Sequence, residues 1–69
     1  MRAVVIANKT SEGMSVIGVD LYNDSGRLCE RPTKRFIDGL NAVPMLDTEK
    51  IKNIVSKQFG VPKKDIIFS

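Results

Sequence analysis

The stretch that decides the fold is MSVIGVDLYNDSGR, residues 14–27. Strict alternation along MSVIGVDLY would put Ile17, Val19 and Leu21 on one side of a strand and Met14, Val16, Gly18 and Tyr22 on the other. The next four residues, Asn23, Asp24, Ser25 and Gly26, follow the order of a type I turn closed by a left-handed glycine, so the strand ends in a hairpin.

Working outward, RAVVIAN (2–8) is a β-branched apolar run and reads as a strand paired with the first through KTSEG (9–13), where Gly13 closes the loop. On the other side, RLCE (27–30) is a third strand. Pro32 stops it, because proline has no N–H for a ladder and holds Arg31 extended. Thr33 then caps a short helix whose Phe36, Ile37 and Leu40 share one side, with Gly39 costing about 1 kcal/mol in its interior.

Ala42, Val43 and Pro44 break that helix. Asp47 caps the next one, with Leu46 and Ile51 placed as a hydrophobic staple and Glu49 in the first turn. Its apolar stripe is Ile51, Ile54, Val55 and Phe59, and Gly60 with Pro62 ends it. DIIFS (65–69) is a fourth strand returning to a sheet edge. The expected fold is α+β: a small antiparallel sheet with two helices in the order β-β-β-α-α-β, forming a single domain over residues 1–69.

A chain of 69 residues buries only roughly 60% of its unfolded surface, so it holds one core and usually needs help from a disulfide, a metal, exceptional packing or self-association. Cys29 is the only cysteine and there is no histidine, which rules out an internal disulfide and a soft-metal cluster. The N-terminal apolar run is too short for a signal-peptide core or a membrane span, so a cytoplasmic location without membrane contact is expected. Asn8-Lys9-Thr10 and Asn23-Asp24-Ser25 match the glycosylation sequon, but in that setting they read as turn chemistry.

The residue types offer little for catalysis. Without histidine, Cys29 has only the flanking Arg27 and Arg31 to favour a thiolate, and its plainer role is a small hydrophobe on a strand. Asp24 and Asp47 have turn and cap roles, and Asp20 and Glu30 balance nearby arginines rather than forming an acid-base pair. No glycine-rich phosphate loop occurs. Neither enzyme activity nor a cofactor or metal is expected.

Charge is unevenly placed. Residues 1–32 hold four cations and four acids, while residues 33–69 hold seven cations and four acids. Lys34, Arg35, Lys50, Lys57, Lys63 and Lys64 are candidate phosphate contacts, which makes nucleic-acid binding the alternative function. With no tryptophan, with Phe36 and Phe59 on core sides, and with a six-residue helix connection containing Pro44, neither base stacking nor a helix-turn-helix is recognisable.

Protein contact is the preferred function, because a sheet apolar on both faces needs more cover than two short helices supply. Met14, Val16 and Tyr22, with Arg27 and Arg31 along the edge, are the expected interface, presented to a protein partner with acidic groups or to a second copy in a homo-oligomer. On this expectation Val16→Asp weakens association without unfolding the chain.

The layout of MRAVVIANKTSEGMSVIGVDLYNDSGR followed by TKRFIDGLNAV, over about the first 43 residues, resembles short accessory proteins of bacteriophages and mobile elements. The resemblance implies stoichiometric binding to a host protein, as an inhibitor or adaptor. It carries over no functional residue.

Overall fold

A computed structural model describes residues 1–69. Its elements are β1 (Arg2–Thr10), β2 (Gly13–Tyr22), β3 (Leu28–Glu30), α1 (Lys34–Asn41), α2 (Thr48–Phe59), a single 3-10 turn (Lys63–Asp65) and β4 (Ile66–Phe68). The α+β class and element order are those read from the sequence.

Local chemistry sets the boundaries. The Asn23 carboxamide accepts the N–H groups of Ser25 (3.0 Å) and Arg27 (3.1 Å), and Gly26 takes φ 80°, closing the β2–β3 turn. Thr33 caps α1 by accepting the Phe36 N–H, Asp47 caps α2 by accepting the Lys50 N–H, and Gly60 ends α2 in the left-handed region at φ 69°. The α-amino group of Met1 donates to Asp24 at 2.6 Å. That hydrogen bond raises the amino pKa and lowers that of Asp24, with both groups in open solvent.

The sheet order is β3-β2-β1-β4. β1 pairs with β2, and β2 with β3, antiparallel, but β4 joins β1 in parallel, so the sheet is mixed rather than antiparallel throughout. The path of the helices explains this. The Met14 N–H donates to the Leu46 carbonyl at 2.9 Å, placing the start of α2 at the β1–β2 hairpin. α2 then carries the chain back along the sheet, and β4 enters with Ile66 beside Ala3, running the same way as β1.

Strict alternation fails in β2. Ile6 pairs with Gly18 and Ala7 with Val16, leaving Ile17 as the extra residue of a β-bulge. Past it the parity reverses. Val16 is buried at 2% exposure with Val19 and Leu21, Met14 packs against the same core, and Ile17 is 61% exposed. The expectation that Met14 and Val16 lie on the free side with Tyr22, and Ile17 on the helix side, is therefore corrected.

Both helices cover the same face of the sheet. Leu40 of α1 and Ile51 and Val55 of α2 share one core with Ala3, Val5, Val16, Val19 and Leu21. Each fully buried aliphatic side chain there contributes about 1.5–3 kcal/mol. The Phe36 and Phe59 rings meet edge to face at 5.2 Å and tie the helices together.

Gly13 is the tightest backbone position. It has φ 132°, and a Cβ there would lie 2.7 Å from the Leu46 carbonyl oxygen. Gly13→Ala is expected to cost about 1–3 kcal/mol in urea denaturation, from left-handed strain and the backbone collision. Gly18→Ala, where a Cβ meets nothing within 4 Å, is the control and should change stability by less than about 1 kcal/mol.

Candidate protein-binding surface

With both helices on one side, the opposite side of the sheet is uncovered. Cross-strand partners share a face, so Arg2 with Tyr22, Val4 with Asp20, and Ile6 with Gly18 all lie on this open side. β4 adds Ile67 beside Val4, and β3 adds Leu28 beside Tyr22. Ile6 of β1, Leu28 of β3 and Ile67 of β4 are 37%, 41% and 48% exposed, so apolar side chains stand bare on three of the four strands, with Gly18, Asp20 and Tyr22 of β2 between them.

Charged groups flank these side chains. The Arg2 guanidinium lies 5.5 Å from the centre of the Tyr22 ring, and Arg31 Nε donates to Asp20 Oδ1 at 3.2 Å. A cation held over an aromatic face and an ion pair flanking an apolar centre are the usual parts of a protein interface rim.

Of the expected interface residues, Tyr22 is on this face, and Arg27 and Arg31 are exposed at its β3 end. Met14 and Val16 are on the core side. Val4, Ile6, Leu28 and Ile67 take their place. The alternation of Val4 and Ile6 against Val5 was the available signal for β1, whereas the side on which Ile67 falls depends on the parallel pairing of β4.

The six candidate phosphate contacts are spread over three elements. Lys34 and Arg35 open α1, Lys50 and Lys57 lie on α2, and Lys63 and Lys64 form the 3-10 turn. Two are already engaged. The Lys50 ammonium donates to the carbonyls of Pro44 (3.0 Å) and Met45 (3.2 Å), holding the loop in which Met45 takes φ 52°. Lys63 lies 3.8 Å from Glu49.

A second feature borders the open face. β3 pairs only with Leu21 and Tyr22, so most of β2 has no strand on that side. There the Asn41 side chain does the work of a strand. Its Oδ1 accepts the Val16 N–H at 2.7 Å, and its Nδ2 donates to the Val16 carbonyl at 2.9 Å. Between Val16 and Leu21 the β2 edge faces a cleft of 430 Å³ against α1.

The Cys29 thiol donates to the Leu21 carbonyl at 3.4 Å, and no three His, Cys, Asp or Glu side chains come together as a ligand set. No helix is long and apolar enough to cross a membrane. Compared with protein-family models, curated proteins and solved structures, the chain matches none.

Asn41→Leu removes both bonds to Val16 and should cost about 1 kcal/mol. The Val16 amide, protected in the parent protein, should then exchange with solvent at least several-fold faster by NMR. Unchanged exchange would mean that the Asn41 carboxamide does not hold this edge.

Proposed function

We propose that the chain is a small non-enzymatic binding protein that presents the open face of its sheet to a protein partner, acting stoichiometrically as an inhibitor or adaptor. The observation that carries this reading is the placement of both helices on one side, which leaves the apolar side chains of Val4, Ile6, Leu28 and Ile67 without cover. Isolated exposed hydrophobes are ordinary, but several on one uncovered sheet face, interspersed with charge, are the pattern of an interaction surface.

The size of the chain supports the same reading. Eleven residues form the buried core of a 69-residue protein, so covering the second face adds apolar burial that the chain cannot supply alone. The exposed Arg27 and Arg31 on the β3 side suit a partner whose rim carries acidic groups.

A photo-crosslinking side chain tests this. Placed at Ile6 or Ile67 in cells that naturally contain the protein, it should yield a discrete adduct with another polypeptide. Placed at Asn53, exposed on α2, it should yield none. Absence of adducts from the sheet positions, or equal adducts from Asn53, would overturn the proposal.

A further inference from the structure

We propose that the pocket between the end of β3, the start of α1 and the end of α2 binds a methylated ammonium group. The site is on the helix side of the sheet, apart from the open face, and stands independently of the protein-binding reading.

The rings that join the helices also build the pocket. Pro32 turns the chain from β3 into α1, and four residues later Phe36 meets Phe59 at the end of α2. The two ring planes lie at 71° to each other, and both rings line a pocket of 330 Å³ with Pro32 beside them. Both are only half-buried, so the core leaves part of each ring uncovered. Rings meeting at nearly a right angle form a corner, and the negative face of an aromatic ring attracts a cation.

The charged side chains agree with that sign. Glu30 is exposed at the pocket and has no cation within ion-pair distance. Arg31, the other charged lining residue, is held at 3.2 Å by Asp20, which lies outside the pocket. Lys34 and Arg35 do not line it. The N-terminus of α1 and the C-terminus of α2 meet here with opposite dipoles, so the helix ends favour neither sign. Glu30 and the aromatic rings therefore decide, and both favour a cation.

Hydrogen bonding narrows the kind of cation. A bare ammonium brings three donors and a guanidinium five, and each donor needs an acceptor when it leaves water. The Thr33 hydroxyl already accepts the Phe36 N–H at 3.2 Å as the cap of α1. The Glu30 carboxylate and the Gln58 carboxamide are the remaining side-chain acceptors, too few for either group. A trimethylammonium has no donor to satisfy, and its methyl groups carry the positive charge onto the ring faces. Free small molecules and modified lysine side chains both present this group.

The test is an NMR titration of the isotope-labelled full chain with choline, and with 3,3-dimethyl-1-butanol, in which carbon replaces the charged nitrogen. Choline should give saturable shifts at the Phe36 and Phe59 rings and at the Glu30 amide, and the neutral alcohol should bind about tenfold more weakly. Glu30→Gln alters an exposed, unpaired side chain and so keeps the fold; it should weaken choline binding about threefold. Nα-acetyl-trimethyl-lysine amide separates the two sources: binding tighter than choline assigns the pocket to a modified side chain, and weaker binding assigns it to a free small molecule.

Shifts that are absent or never saturate would overturn the proposal. Equal binding of the alcohol would make the pocket merely apolar and overturn it as well, as would unchanged choline affinity in Glu30→Gln. Choline shifts confined to Arg2 and Tyr22 would place the cation on the open face and overturn this site. None of these failures touches the crosslinking expected at Ile6 and Ile67, so the open-face reading stands or falls separately.

Discussion

Ile17 has no partner in β1, and that one unpaired residue decides which side of β2 faces the helices at each end of the strand. From Val19 to Tyr22 the odd-numbered residues point into the core. From Met14 to Val16 the even-numbered ones do. Without the bulge, Val16 would face solvent and Ile17 would crowd α1. With it, a continuous apolar surface made of Met14, Val16, Val19 and Leu21 meets the two helices, and the polar residues Ser15 and Asp20 stay off the core.

The bulge also shapes the surfaces outside the core. By sending Ile17 outward it places an exposed apolar side chain at the junction between the open sheet face and the cleft beside α1. Pro32 has a complementary effect, because it turns the chain away from β2 just where β3 would have continued along the edge. The vacated edge is partly held by the Asn41 carboxamide, which fixes the end of α1 to the sheet.

Much of this was readable from the sequence, and the reasons are local. The turn at Asn23–Gly26, the Thr33 and Asp47 caps, the Gly60 stop and the apolar stripes of both helices are each set by residues within a few positions of one another. The bulge was not readable, since MSVIGVDLY satisfies strict alternation and nothing in that run alone reveals the extra residue. The face of β2 was therefore misassigned at Met14, Val16 and Ile17, while Tyr22, on the near side of the bulge, was placed correctly. The parallel entry of β4 and the role of Asn41 both depend on how α1 and α2 carry the chain across the sheet, which local patterns do not encode.

The central claim is that the sheet has one buried face and one bare face, divided by the bulge at Ile17. Equilibrium urea denaturation of Val16→Asp beside Ile6→Asp tests it most directly. A carboxylate at Val16 is forced into the core and should cost at least about 3 kcal/mol, enough to unfold a domain this small. At Ile6 it remains in solvent and should shift stability by less than about 1 kcal/mol. If Ile6→Asp unfolds the protein while Val16→Asp leaves it intact, the faces are reversed and the account is wrong.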